Sequence, residues 1–381
     1  MLNIPLIKRN LARLGLSQTD LASLCNVSKE AVSTWLTGES TPRPAKLRKL
    51  CEIFSVEIEE LFVENSDMAV EVMDPFSPAN YKLTSSAKDK VKDQSAHLLE
   101  LVQFLPLTTF FNSPVLTAPE LAYDYIQLLA REVCSFRPTR KAANLTPITL
   151  EKLIQLHADL ETCFVPQLKK QDSEMNFLLN IGDDRMRAPM FVFGIQIPTT
   201  YFKYALARLL GQACLGPSQK GADVDTFIAA FAYELLYPFD QAVQVIEGKS
   251  GLQELKALMT EQTQLHDVSY PVVFNQLALA ATVDGIKPPV FDFNGSLAKW
   301  SAKMKTKSHS VASALYGNKS PSIASYVEKS EEIFSTPIFK AIGDWQINEG
   351  GRSPAFIREA LNIELFQALA ISILLTNRNK A

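Results

Sequence analysis

Histidine and glycine are scarce in this chain of 381 residues, with four of the first and 15 of the second. The histidines (His97, His157, His266 and His309) are too far apart for any two to share a helix face, as paired metal ligands do. Neither GxGxxG nor GxxxxGK[ST] occurs, which removes the phosphate-cradling loops of dinucleotide and nucleotide enzymes. Cysteine is sparse and odd in number: Cys25, Cys51, Cys134, Cys163 and Cys214 form no CxxC pair. That argues against a disulfide framework or zinc knuckle and predicts reduced, mostly buried thiols. Charge of one sign is missing too. A formal net charge of -3 means that any nucleic-acid contact must rest on a local basic face. Long apolar runs are absent, since the most apolar stretch, 365–375, falls short of the roughly 20 residues a bilayer span needs. The first residues lack a signal-peptide pattern, because Lys8, Arg9 and Arg13 interrupt an amphipathic stretch. The expectation is a cytoplasmic protein of bacterial or phage origin, with no membrane, no metal and no cofactor.

What is present suffices for two or three globular domains, with 47% hydrophobic and 21% charged residues. Residues 1–63 read as short helices with tight joints. Residues 64–95 mix Pro, Ser, Asn and charge without sustained apolar period, which suggests a linker. From about Leu98, apolar residues recur at three- and four-residue spacing in LLELVQFL, APELAYDYIQLLAREVCSF and TLEKLIQLHADLETCF, a helical signature. MNFLLNI and APMFVFGIQI are strand-like. Helices resume in YFKYALARLLGQACL and TFIAAFAYELLYP, and the region 284–381 closes in AFIREALNIELFQALAISILL. There is no internal repeat. The fold expected is mainly α with a small sheet.

Gln18 to Trp35 meets the local demands of a helix-turn-helix. Ser17 suits the N-cap of a helix opening at Gln18, and Ala22 is small where two helices would cross. Asn26 falls at the sharp turn, where a left-handed backbone is needed and Asn tolerates it. Ser28 then caps the second helix. Val32 and Trp35 point inward against Leu21 and Leu24. Lys29, Glu30, Ser33 and Thr34 are left outward, as base-reading groups should be. Gln18 stands where a helix N-terminus meets phosphate, and Arg43 and Lys46 follow in TPRPAKLRKL. Over residues 1–50, eight basic residues (Lys8, Arg9, Arg13, Lys29, Arg43, Lys46, Arg48, Lys49) stand against three acidic ones (Asp20, Glu30, Glu39). This local balance of +5 contrasts with the acidic whole.

SQTDLA, VSKEAVSTWLTGE and LRKLCEIFSV, in this order over residues 5–62, resemble the lambda-repressor-like (xenobiotic response element, XRE) family. The resemblance implies a five-helix domain whose third helix enters the major groove. By it, Gln18 touches phosphate while Lys29, Glu30, Ser33 and Thr34 face bases.

A second resemblance covers residues 170–283. YALARLLGQACLG followed by FIAAFAYELLYP is similar to the core of the ImmA/IrrE-type metallopeptidases. Phe231, Ala232, Leu235, Leu236 and Pro238 reproduce that family's FAxxLLxP, and Tyr204, Ala207, Leu210 and Gly211 keep the apolar and small positions of its HExxH helix. The polar residues are replaced. Arg208 and Gln212 take the two histidine positions, Leu209 that of the general base, and Phe227 that of the third ligand. Arg cannot shed its proton to bind metal, and Leu can abstract nothing. The resemblance therefore implies a degenerate, zincin-like α+β domain over 96–283, catalytically silent, with a helical C-terminal extension. LHDVSYPVVFNQLALA resembles the closing segment of that family, itself like a small helix-turn-helix.

Other groups have plainer readings. Glu234 is expected to cap or pair on a helix surface. Asp183, Asp184, Arg185 and Arg187 read as a charged turn, and Lys299, Lys303, Lys305 and Lys307 as a solvated face. Function follows from these parts: a sequence-specific regulator of double-stranded DNA, a repressor working as a homodimer on a palindromic site. Its C-terminal domain would receive a small-molecule or protein effector, or mediate assembly. Two alternatives stand beside it. One is an antitoxin-like or phage-defence component that binds a partner protein and uses DNA for autoregulation; the other is a peptidase with a displaced site.

Overall fold

Two hydrophobic cores with no residue in common organise the chain. The computed structural model describes residues 4–37, 42–56, 61, 69–73, 85–105, 120–134, 148–160, 162–168, 177–182, 187–215, 221–249, 251–282, 293–304, 307–348 and 354–378.

The first core belongs to four helices: α1 (Ile4–Leu14), α2 (Gln18–Cys25), α3 (Lys29–Thr37) and α4 (Pro44–Phe54). Ile7 and Leu11 from α1, Leu21, Ala22 and Cys25 from α2, Val32 and Trp35 from α3, and Leu50 and Phe54 from α4 are buried together. Leu61 joins this core, while the other residues expected to form a fifth helix, 57–60 and 62–63, lie outside the described residues.

The second core is built from β1 (Ala69–Met73), α5 (Ser85–Leu101), α6 (Tyr123–Cys134), α7 (Leu150–Asp159), β2 (Cys163–Gln167), β3 (Phe177–Gly182) and β4 (Arg187–Gly194). After these come α8 (Thr199–Leu215), α9 (Ala222–Leu236), α10 (Phe239–Ile246), α11 (Leu252–His266) and α12 (Tyr270–Ala280). Six further helices close it: α13 (Ala298–Lys303), α14 (Val311–Leu315), α15 (Ile323–Phe334), α16 (Ile338–Asn348), α17 (Ala355–Leu361) and α18 (Leu365–Arg378). The stretch 64–95 is thus not the featureless linker expected, because it carries β1 and the opening turns of α5. Likewise, the helix expected over TLEKLIQLHADLETCF stops at Asp159, and its last residues enter β2.

The sheet runs β1-β3-β4-β2, antiparallel except where β2 lies parallel to β4 with Phe164 opposite Phe191. At the β2 edge, Pro166 is tolerated because an edge residue needs no ladder N–H on its free side. The outward carbonyls are not left bare. Thr336 donates its hydroxyl to the Phe164 carbonyl and Tyr326 donates to that of Pro166, so α15 and the turn after it cover the edge. Phe191, Phe193, Phe202 and Phe334 fill the space between sheet, α8 and α15, with the Phe193 and Phe202 ring centroids 4.6 Å apart.

α8 and α9 lie against each other at close range. A Cβ on Gly211 would stand 3.0 Å from Cδ1 of Phe231, so glycine is what permits the crossing. His157 fastens α7 to the far side of α8, with Nε2 2.8 Å from the Leu206 carbonyl and Nδ1 3.2 Å from the Thr162 hydroxyl. Burial holds its pKa down to about 4, and the Leu206 bond offsets this only in part.

One joint recurs. At the ends of α2, α4, α11 and α17, a non-glycine residue adopts the left-handed conformation: Asn26, Ser55, Asp267 and Asn362. The amide of the next residue then bonds five residues back, as from Val27 to Ala22 and from Val268 to Thr263. The residue after the bend (Val27, Val56, Val268, Ile363) is apolar each time.

Candidate nucleic-acid interface

The corner between α2 and α3 is held by short-range chemistry. Ser17 caps α2 by accepting from the Asp20 amide, and Asp20 accepts in return from the Ser17 amide at 2.8 Å, a closed capping box. The Ser17 bonds hold the Asp20 carboxyl below its usual range, so it stays ionised beside the positive end of the helix. Asn26 has φ 50 and ψ 59, the left-handed turn expected of it. Ser28 accepts from the Ala31 amide at 3.2 Å and starts α3.

α3 presents the outer face that the sequence predicts. Lys29, Glu30 and Ser33 are exposed and Thr34 is half-buried, while Val32 and Trp35 turn into the core. The inward partner is Leu21 and not Leu24, which is 47% exposed. Residues 21, 22 and 25 fill the inner face of the eight-residue α2, and position 24 falls a quarter-turn off it. Two of the outward groups are also occupied locally. Glu30 is held below the usual carboxylate range by its own backbone N–H and by Ser28, so in the free protein it helps to cap α3. Thr34 donates to the Ala31 carbonyl at 3.0 Å. Lys29 and Ser33 are the most outward of the four.

The basic residues divide in the same way. Gln18 is exposed at the first turn of α2, and Arg43 is exposed at the start of α4 with no side-chain cap bond. Arg48 is exposed as well. Lys46 is committed elsewhere: its Nζ lies 2.8 Å from the Cys25 carbonyl and 3.2 Å from that of Asn26. Arg13 donates to the Phe54 carbonyl at 2.9 Å, and Lys49 pairs with Glu52 at 2.8 Å. Thus part of the positive balance ties the helices together, and Lys29, Arg43 and Arg48 face solvent. Lys46, expected on phosphate, is a clamp on the reading corner. Its partners come from another helix, so no local pattern could have shown this.

The second group of candidate residues sits on α8 and α9. Arg208, Leu209, Gln212 and Phe227 are all buried. The Arg208 guanidinium is 4.0 Å from Asp225 and lies over the Tyr204 ring at 5.8 Å. Tyr204 in turn stacks on Tyr233. Among the described residues, no three His, Cys, Asp or Glu side chains are grouped as a metal ion would require. Glu234 is buried and not on a surface as expected. It accepts from the Tyr123 hydroxyl, from Gln276 Nε2 at 2.9 Å and from the Phe239 amide at 3.0 Å, where it caps α10. Burial pushes its pKa up and these three bonds oppose the shift. Lys299, Lys303 and Lys307 are exposed, whereas Lys305 and the turn Asp183, Asp184 and Arg185 lie outside the described residues, as does the side chain of Arg187.

The corner at α11–α12 repeats the geometry of α2–α3, with Asp267-Val268-Ser269 in place of Asn26-Val27-Ser28. Its second helix differs entirely. Tyr270, Val272, Val273, Gln276, Leu277 and Ala280 of α12 are buried, and α12 carries no charged residue.

Residues 7–61 match the helix-turn-helix family model. No curated protein and no solved structure matches the chain. The match places an XRE-type helix-turn-helix at the N-terminus, and it supports binding to double-stranded DNA and the role of a DNA-binding regulator. No single helix among the described residues is long and apolar enough to cross a membrane.

Proposed function

We propose that this chain is a sequence-specific repressor that binds its operator as a homodimer, and that its large C-terminal region is a catalytically silent, peptidase-like domain serving as sensor or assembly platform. The observation that carries the reading is α3: a capped, rigidly seated helix whose exposed face holds Lys29 and Ser33, flanked by Gln18 and Arg43. One such module contacts few base pairs, and a two-fold pair doubles the site, hence the homodimer and the palindrome. Silence of the second domain rests on residue types. Arg208, Leu209, Gln212 and Phe227 stand where ligands and base would be needed, and none of them can do that chemistry at neutral pH.

The test is binding of the full chain to DNA from upstream of its own gene, against scrambled DNA, over a salt series. Preference for the native fragment, with a symmetric footprint and a steep salt slope, is expected. Equal affinity for both fragments would overturn sequence-specific regulation. The purified protein should hold no stoichiometric zinc, and a chelator should leave its melting unchanged; tightly held zinc would overturn the silent-domain reading.

A further inference from the structure

Between Phe293 and Val327 the sequence holds five lysines (Lys299, Lys303, Lys305, Lys307 and Lys319) and no aspartate or glutamate. Residues 1–50 carry eight basic groups against three acidic ones, and the remainder of the chain carries 25 against 38. A cationic stretch without counter-charges thus stands out of an acidic background far from the reading module. The fold carries it on a fixed frame. Leu297, just before α13, and Ser301 within it are buried, and the Trp300 ring stands edge-on to Tyr270 of α12 with centroids 5.3 Å apart. Lys299 and Lys303, one helical turn apart, fall on the opposite side of α13 and are exposed. From α11, Lys256 adds its charge over the Trp300 ring, Nζ 5.5 Å from the centroid. Lys307 is exposed on the segment that follows, which is pinned to the start of α8. There the Thr199 amide donates to the His309 carbonyl and the Val311 amide to that of Ile197, both at 2.9 Å.

These charges are not spent inside the fold. Lys299, Lys303 and Lys307 meet no carboxylate among the described residues, and Asp267, brought near by the same Thr199, already accepts from its hydroxyl at 3.0 Å. By contrast, Lys46 and Lys203 bond carbonyls at helix ends and Lys340 pairs with Asp344. The partner must therefore bring the negative charge. A lipid surface or a protein interface would also ask for an apolar centre. Within this stretch Met304 is the only large apolar side chain exposed among the described residues. Lysine is a flexible point charge, suited to phosphate and blind to base sequence. We infer that the outer face of α13, with Lys299, Lys303 and Lys307, is a second DNA contact that grips the phosphate backbone of the duplex read by α3. It supplies affinity without sequence preference and holds the second domain against the DNA. The inference rests on the DNA-binding reading, because the duplex is its partner, and needs neither the homodimer nor repression.

Salt dependence of DNA binding by the full chain tests it. Lys299→Gln, Lys303→Gln and Lys307→Gln, combined, should lower the slope of log affinity against log salt by about 3, since each phosphate contact contributes about 0.9. Affinity for upstream and scrambled DNA should fall by the same factor, with preference and the circular-dichroism melt unchanged. The control combines Lys152→Gln, Lys249→Gln and Lys340→Gln, exposed lysines on other helices and turns, which remove the same charge and should keep the wild-type slope. Acetylation mapped by mass spectrometry gives a reading independent of affinity: duplex DNA should protect Lys299, Lys303 and Lys307 and leave Lys152 reactive. An unchanged slope in the first variant, equal slope losses in the two variants, or no protection of the three lysines would overturn the proposal. So would phosphatidylserine vesicle binding lost in the first variant while its DNA slope holds, since the partner would then be an anionic lipid surface. If upstream DNA is not preferred but the slope still falls by about 3, sequence-specific regulation fails and this surface stands. Preference intact with an unchanged slope is the reverse.

Discussion

Lys46 reaches from α4 to the end of α2, with Nζ 2.8 Å from the carbonyl oxygen of Cys25. A helix C-terminus carries unsatisfied carbonyls and a partial negative charge, so a lysine there contributes both hydrogen bonds and electrostatic stabilisation. Through this side chain, α4 is tied to the corner from which α3 leaves.

Lys46→Met keeps the apolar stem and removes the clamp. The N-terminal domain should lose about 1 kcal/mol, the low end for a charged hydrogen bond because the group is partly exposed. A melt followed by Trp35 fluorescence measures this. The salt slope of DNA binding should stay at its wild-type value, since no phosphate contact is lost; a shallower slope would return Lys46 to the phosphate backbone. Lys29→Ala and Ser33→Ala should instead relax base preference in competition assays, by about 1–3 kcal/mol if the contact is bidentate.

Asn26→Gly should leave stability within a few tenths of a kcal/mol, while Asn26→Val should cost about 1–2 kcal/mol because a β-branched residue resists φ 50. Asp267 occupies the same conformation and also accepts from the Thr199 hydroxyl at 3.0 Å. Asp267→Gly should therefore be the costlier glycine substitution of the two, by about 1 kcal/mol. Denaturant titration of both variants decides the order.

His157 gives the second domain an acid sensitivity. Its folded pKa of about 4 lies below the ordinary 6.5, so the unfolded chain takes up the proton first as pH falls. The stabilisation is complete above pH 6.5 and is lost progressively down to about pH 4, in total about 3 kcal/mol. Urea unfolding between pH 7 and pH 4 should show this slope, and His157→Gln should flatten it.

Gly211→Ala pits two effects against each other. Alanine gains up to about 1 kcal/mol in helix propensity, but the new methyl presses on Phe231, itself buried and stacked on Phe227. Overpacking costs about 1–3 kcal/mol, so a net loss near 1 kcal/mol is expected. Adding Phe231→Leu should recover stability relative to Gly211→Ala alone; a further loss would show that the crossing is not the constraint.

The reading module was legible because its determinants are local. Ser17 with Asp20, Asn26 at the bend and Ser28 at the next cap all act within a few residues. What escaped was set by distant partners. β1 owes its existence to pairing with β3, and β2 is buried on both faces, so its sequence CFVPQ shows no alternation to separate it from the preceding helix. Glu234 looked like a surface group because its donors, Tyr123 and Gln276, come from other helices. The four positions on α8 and α9 were read as replaced ligands from their types alone, and their burial and the Arg208–Asp225 pair add a packing role that spacing could not reveal.

The twin corners at Asn26 and Asp267 have a consequence for how such chains evolve. A bend that seats a helix across its neighbour is indifferent to whether that helix ends up as reader or strut. α12 is a strut because six of its eleven residues are buried and none is charged, and α3 is a reader because its outer positions are bare and one holds a lysine. A duplicated or exposed copy of α11–α12 would therefore need only surface substitutions, and no new turn, to become a second DNA-contacting element.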